Sequence, residues 1–387
     1  NFYINVEVFL RGGKVIRFLT GGESHGDMLL GIVEGIPANL NLDLNYINME
    51  LRRRQKGYGR SNRMDIERDE AVILSGTSNG YTTGNPISLM IKNRGKNIEL
   101  VEITRPRPGH ADLAGALKYN QDGARNILER ASARETAMRV AVGGICKLFL
   151  TEFDIRLFSH VIQIGHIQSD KNYYTDLDLG ELIEADKSPI RVLDRNSERL
   201  MIDIIEKAKN QGDTIGGVIE VIGTNIPVGL GSHAIWDRKL DGRIAQSIMS
   251  IPGIKGIEFG LGFDTAGKLG SKLHDEICYD TGYYRNSNNA GGIEGGISNG
   301  EDIVFRLVMK PIPTLKKPLQ TVDMRTKEVN LAQFERSDVC AVPSASIVAE
   351  AMFAYVLANE IIIKFGGDSM EETRANYDCY INSLQNR

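Results

Sequence analysis

Strand-like and helix-like patterns are interleaved along this chain of 387 residues, without the strand–helix–strand rhythm of about thirty residues that marks parallel sheets. That argues against a doubly wound parallel sheet and predicts an α+β fold in layers. Helical spacing marks residues 43–55, which open on Asp43 and carry Leu44, Ile47 and Leu51 on one face. A long apolar stripe runs through 121–152, by way of Ile127, Leu128, Ala131, Met138, Val140, Ala141 and Ile145. Further helices are expected at 346–364, stopped by Gly366-Gly367, and at 197–210, ending before Gly212. Strands are expected at 15–20, 31–36, 71–76, 86–92, 157–163, 215–223 and 302–310. In 215–223, for example, Val218, Glu220 and Ile222 alternate with Ile219, Val221 and Gly223. Charged stretches near 92–103 and 168–199 read as surface excursions.

Composition narrows the function classes. The net charge of −4 argues against a dedicated nucleic-acid binder, while leaving room for a local basic pocket. The 41 glycines exceed the usual share of ~7% and fall in clusters, which predicts tight turns and close backbone approaches. Cys146, Cys278, Cys340 and Cys379 are scattered, with no zinc spacing and no disulfide framework. The six histidines form no HxH or HxxxH pair, so no metal site is expected. No P-loop and no dinucleotide glycine motif stands at a strand–helix turn. No apolar run reaches the ~20 residues that a bilayer demands. The first twenty residues hold Arg11, Lys14 and Arg17 but no signal-peptide cleavage pattern, so a soluble cytoplasmic enzyme without a membrane partner is the expectation.

The chemistry-bearing residues sit in shaped loops. In Gly21-Gly22-Glu23-Ser24-His25-Gly26, glycines allow backbone N–H groups to approach an anion beside a histidine, although a turn with an incidental histidine fits as well. Arg52, Arg53, Arg54 and Lys56 lead into Gly57-Tyr58-Gly59-Arg60 and Arg63. Arg52 and Arg53 suit a solvated helix end equally well, whereas the glycine-rich setting of Arg54, Arg60 and Arg63 favours anion binding. Prolines stiffen Thr104-Arg105-Pro106-Arg107-Pro108-Gly109-His110-Ala111-Asp112, which suits a pre-organised site. Arg130 and Arg134 are four apart and share a helical face beside Ser132, while Arg125–Glu129 and Arg130–Glu135 suggest ordinary surface ion pairs. Glycine-rich Gly291–Gly300 leads to Lys310-Pro311-Ile312-Pro313-Thr314, whose backbone and polar side chains suit a phosphate. Glu335-Arg336-Ser337-Asp338 precedes the last apolar helix. Together these residues describe a pocket for a small polyanion with proton donors at hand, and the reaction itself stays open.

The same clusters closely resemble the chorismate synthase family. FLTGGESHG, LRRRQKGYGRSNRM, RPRPGHADL, ERASARETAMRVAVG, GDTIGGVIEV, GGIEGGISNG, MKPIPTL and ERSDVCAVP all fall in family order, from about Val15 to about Phe365. The resemblance implies a β-α-β sandwich core with helices between and around antiparallel sheets, a single domain over 15–387, and a homotetramer. It implies reduced FMN as cofactor and 5-enolpyruvylshikimate-3-phosphate as substrate, which loses phosphate from C3 and a proton from C6 in a 1,4-anti elimination with no net redox change. By the same resemblance His25 stands near the substrate phosphate as a proton donor, His110 near the flavin ring, and Asp338 beside flavin N5. Arg54, Arg60, Arg63, Arg107 and Arg134 surround the substrate's carboxylates and phosphate. Arg130, Ala131, Ser132, Gly295, Lys310, Pro311, Ile312, Pro313, Thr314 and Arg336 fall at FMN positions.

Some positions depart from the family pattern. Ser61-Asn62 replace small glycine-like residues, Pro252-Gly253 replace a usual Asn-Ala against the flavin, the stretch from Lys92 to Arg105 is short, and residues 1–14 form an N-terminal extension. With no added dinucleotide domain in view, an external flavin reductase is the expected partner. An enzyme with its own NADPH-dependent (NADP-linked) flavin reductase is the alternative. A non-enzymatic polyanion or RNA binder is a further reading, disfavoured by the net charge and by the absence of aromatic-rich basic patches.

Overall fold

The computed structural model describes residues 15–60, 68–94, 101–175, 177–335 and 337–385. The first sheet contains β1 (Arg17–Gly21), β2 (Met28–Glu34), β3 (Ala71–Ser75) and β4 (Ile87–Lys92), in the order β1-β2-β4-β3, with every pair antiparallel. Period-two alternation explains its placement: Leu29, Val33, Leu89 and Ile91 are buried on one face, and Leu19, Leu30, Ile32, Val72 and Leu74 are exposed on the other. The second sheet contains β5 (Arg156–Ile164), β6 (Ile167–Gln168), β7 (Gly217–Thr224), β8 (Ile254–Phe259) and β9 (Ile303–Met309), in the antiparallel order β8-β9-β7-β5-β6.

The longer helices are α1 (Leu44–Gln55), α2 (Asp112–Lys118), α3 (Arg125–Ala131), α4 (Thr136–Thr151), α5 (Arg195–Asn210), α6 (Leu240–Met249), α7 (Val342–Phe365) and α8 (Met370–Gln385). Between the sheets lie α1, α4 and α7, so the chain is the expected β-α-β sandwich. On the first sheet, Met138 of α4 occupies the space that Gly31 leaves open. On the second, Phe353 of α7 meets Phe305 of β9 edge-on, with ring centroids 5.1 Å apart. Where the two middle helices touch, Gly143 lies so close to Ala351 that a side chain there would collide with its methyl.

By length and mean composition α7 could cross a bilayer, although Glu350 and Glu360 interrupt its apolar run; in this fold it is buried between the sheets. Its buried Glu350 is neutralised by three cations, Arg53 (Nη1 at 2.8 Å), Lys147 (Nζ at 2.5 Å) and Arg191 (Nη2 at 3.2 Å). Arg53, read as a candidate solvated helix end, therefore belongs to the structural interior.

Three other expectations need correction. The stripe at 121–152 is two helices, because Ser132 adopts an extended conformation (φ −63°, ψ 143°) and its Oγ accepts from the Arg134 N–H at 3.3 Å. Arg130 and Arg134 consequently do not share a face. Residues 168–199 are more than surface, since Leu182 packs with Ile222 and Val304 on the far side of the second sheet and Ile190 and Val192 join the main core. Finally α2, α6, α8, β6 and β8 were not anticipated.

Candidate functional site

Loops from both halves of the sandwich converge on a cavity of ≈ 660 Å³, within the range of small-molecule sites. Its walls come from Ser24 and His25 after β1, Arg54 and Arg60 around the end of α1, and Arg107, Gly109 and His110 in the proline-stiffened loop. Ala131 to Arg134 contribute from the break between α3 and α4, and Met309 to Thr314 from the end of β9. Met249 to Lys255, Glu335, Ser337 and Asp338, with Ala111, Leu128 and Ala341, complete the lining among the described residues.

At one end His25 is fixed by Glu129 of α3. Its Nδ1 lies 3.0 Å from both carboxylate oxygens, and its backbone N–H donates to Oε2 at 2.8 Å. Arg125 holds the same carboxylate from the other side, with Nη1 3.2 Å from Oε1. Burial pushes the Glu129 carboxyl up, but the hydrogen bonds and charge of His25, joined by Arg125, outweigh it and leave it below its ordinary value. The pair Arg125–Glu129 is thus part of the site's scaffold rather than a solvated ion pair.

In the centre, two guanidinium groups share one carboxylate. Arg134 Nη1 lies 2.7 and 2.8 Å from the Asp69 oxygens, and its Nε donates to Asn93 Oδ1 at 2.9 Å. Arg54 Nη1 stands 3.5 Å from Asp69 Oδ2 and makes no hydrogen bond among the described residues, although Nε and Nη2 bond Thr136 Oγ1 and the Ala133 carbonyl at 3.0 Å each. All three charged side chains are buried. Burial lowers the Arg54 pKa to about 10, with Asp69 pulling it up and Arg60 and Arg134 pushing it down. Among the described residues, Arg54 and Arg134 thus carry one more positive charge than Asp69 balances, an arrangement suited to an anionic ligand.

The other end is built on Asp112 at the start of α2. His110 Nδ1 lies 2.5 Å from Asp112 Oδ1, and Arg107 donates to the same carboxylate through its backbone N–H (3.1 Å), Nε (2.8 Å) and Nη2 (3.1 Å). Arg107 Nη1 reaches on to Thr314 Oγ1 at 2.7 Å. Burial raises the Asp112 carboxyl, but His110 and Arg107 more than reverse this and hold it well below the usual carboxylate range. Nearby, Lys310 donates to the Gly109 carbonyl, a contact that the turn at Gly109 (φ +80°) makes available. Burial, then the neighbouring Lys255, lower the Lys310 ammonium. Asp338 Oδ2 pairs with Arg60 Nε at 3.0 Å, and Ser337 Oγ donates to the Thr314 carbonyl at 3.0 Å.

With this geometry established, comparison with known proteins is decisive. The family model for chorismate synthase matches residues 16–362. The chain belongs to the chorismate synthase family. Chorismate synthase of Caldicellulosiruptor saccharolyticus is 52% identical over 376 residues, covering 94% of this chain and 98% of that protein. The Aquifex aeolicus chorismate synthase is 51% identical over 393 residues, covering 96% and 99% respectively. A crystal structure of chorismate synthase superposes with a TM-score of 0.81 at 44% identity, covering 97% of this chain and all of the other.

Most residues expected from the chorismate synthase resemblance meet at this one cavity. His25, His110, Asp338, Arg54, Arg60, Arg107, Arg134, Ala131, Ser132 and Lys310 to Thr314 all line it. Arg63 and Arg336 lie outside the described residues, as do Ser61 and Asn62. Neither Arg130 nor Gly295 is among the lining residues. Arg130 instead donates to the carbonyls of Thr20 and Gly22 at 3.0 and 3.1 Å, and the Gly295 carbonyl accepts from Lys239 Nζ at 2.8 Å in the hairpin Ile293–Ser298. The departure Pro252-Gly253 still lines the cavity, and the Gly253 carbonyl receives the Lys310 N–H at 3.0 Å. The sequence reading missed Asp69, Asn93, Asp112 and Glu129 as organisers of the site. Asp112 and Glu129 stood in quoted motifs, whereas nothing local marks Asp69.

Proposed function

We propose that this cavity binds 5-enolpyruvylshikimate-3-phosphate with reduced FMN and performs the 1,4-anti elimination that yields chorismate and inorganic phosphate, a step of aromatic amino-acid biosynthesis. The observation that carries the reading is the shared carboxylate: Asp69 serves two buried arginines, and Arg54 Nη1 keeps a hydrogen bond to give. Desolvated guanidinium groups aimed where phosphate departs stabilise the growing negative charge without reorganising. His25 gives its proton to a phosphate oxygen as the C3–O bond breaks. Arg60, paired with Asp338, offers charge to a substrate carboxylate, and Asp338 stands as the acid of a proton relay at the far end.

Cofactor fit rests on the opposite wall. Leu128, Met249, Ile251, Pro252 and Met309 give apolar surface to a flat ring, while Lys310, Thr314, Arg107 and His110 offer donors at its edge and to a phosphate. When bound, reduced FMN would supply transient electron donation, with no net redox change over the reaction. His110, its Nδ1–H engaged by Asp112, presents Nε2 as its second nitrogen and keeps ring protonation in order.

We also read residues 15–387 as one domain, the assembly as a homotetramer, the compartment as cytoplasmic and the flavin as reduced by an external reductase. The exposed apolar face of Leu19, Leu30, Ile32, Val72 and Leu74 supports the assembly reading, since a free sheet face of this kind calls for cover. The deciding experiment is anaerobic. Protein, photoreduced FMN and 5-enolpyruvylshikimate-3-phosphate are mixed without NADPH, and chorismate and phosphate are followed together. Equal release supports the whole reading, and no product overturns it.

A further inference from the structure

Of the two cavity histidines among the described residues, His25 has both its ring and its backbone held by one side chain on another element. The Glu129 carboxylate takes its Nδ1 at 3.0 Å and its main-chain N–H at 2.8 Å, while the Glu129 carbonyl accepts the Ser24 N–H at 3.0 Å. Behind Glu129 stands Arg125, whose Nη1 reaches Glu129 at 3.2 Å and whose Nη2 reaches Glu335 at 3.2 Å. Glu335 itself lines the cavity at the Asp338 end.

An ionised carboxylate only accepts hydrogen bonds, so a ring nitrogen lying against both its oxygens carries the proton. The hydrogen on Nδ1 is thereby committed to Glu129, which fixes the ring with Nε2 as its second nitrogen. The same logic orients imidazoles at metal and acid–base sites, where a carboxylate partner fixes tautomer and ring angle. The geometry points to Glu129 as the positioning residue of His25: it locks the imidazole with Nδ1 protonated and Nε2 turned to the reacting phosphate, and Arg125 braces it against Glu335. This rests on the reading of His25 as the proton donor to phosphate. In that step His25 acts as the imidazolium: its Nε2 proton moves to the phosphate oxygen as the C3–O pair departs, and the ring is left as the neutral Nδ1–H tautomer, still hydrogen-bonded to Glu129.

A double-mutant cycle separates positioning from simple anchoring of the loop. Glu129→Gln keeps volume and removes the charge. It should lower kcat by about tenfold to a hundredfold and leave KM for 5-enolpyruvylshikimate-3-phosphate within about threefold. In the His25→Ala background the same change should cost less than about twofold, because the group it acts through is gone. Equal losses in both backgrounds would overturn the proposal and make Glu129 a structural anchor. A second measurement needs no turnover: in protein labelled with ¹⁵N-histidine and followed across pH, the neutral form of His25, assigned by the loss of its signal in His25→Ala, should carry its proton on Nδ1 in the parent protein and be a mixture of tautomers in Glu129→Gln. An unchanged signal in Glu129→Gln overturns the proposal. If the parent protein itself makes no chorismate, the functional reading falls, and the nitrogen signal still decides the role of Glu129.

Discussion

Asp112 Oδ1 lies 2.5 Å from His110 Nδ1, and the same carboxylate carries Arg107, so one buried acid sets both a histidine and an arginine at one end of the cavity. Asp112→Asn leaves the Arg107 charge buried and unmatched, at a cost of about 3–5 kcal/mol. Urea unfolding measures this. The pH dependence has a definite sign. The folded Asp112 holds its proton more weakly than the unfolded chain does, so its contribution is complete above the ordinary carboxylate value of ~3.9 and is lost as pH falls below it. The parent protein should lose stability more steeply than Asp112→Asn in that acid range.

Removing the histidine itself should separate chemistry from binding. His110→Ala is expected to lower turnover by about a hundredfold or more while FMN affinity, read by fluorescence quenching, changes only a few-fold. Near-normal turnover in that variant would take His110 out of the mechanism.

The pair of arginines on Asp69 predicts ligand-linked stability. A phosphate-bearing substrate at a hundred times its Kd should stabilise the parent protein by about 2.7 kcal/mol. In Arg134→Ala most of this gain should vanish, because Asp69 then turns its whole charge on Arg54, which stood 3.5 Å away. Thermal unfolding with and without substrate reads the difference.

A protein with net charge −4 concentrates arginines at its cavity, so capture of a polyanion should depend on salt. The value of kcat/KM should fall several-fold as ionic strength rises from ~0.01 M to ~0.2 M, where the screening length drops below ~10 Å. A flat salt profile would mean that the arginines act only on contact.

Assembly has its own test. Ile32→Asp places a charge on the exposed face of the first sheet, and if that face buries the proposed tetramer's interface, sedimentation should show a smaller species for the variant than for the parent protein. An unchanged sedimentation coefficient would move the proposed interface to another face.

Much of this site was legible because its loops carry local signals. Glycines before His25 and prolines around Arg107 and His110 are written in consecutive residues, and so is the segment Lys310 to Thr314. What escaped notice depends on contacts between distant residues. Asp69 meets Arg134 only once the first sheet packs on α4, and no periodicity announces that meeting. The break at Ser132 was hidden because no glycine or proline marks it; the hydroxyl caps the next turn while apolar spacing continues on either side. β8 was missed because Lys255, Gly256 and Glu258 interrupt its apolar pattern, leaving Ile254 as its fully buried residue. α8 is polar along most of its length, so no stripe advertised it.

Gly143 and Ala351 set how far apart the two sheets can sit, main chain against methyl. No rotamer change can absorb added bulk at that point, so a larger residue there acts as a wedge. The cavity takes one wall from the first half, at His25 and Arg134, and the other from the end of β9. A wedge in the middle layer therefore widens the gap across which arginines and proton donors must meet, and turnover drops although no group that touches substrate has changed. A narrow tolerance for substitution thus lies at two small residues that no ligand reaches.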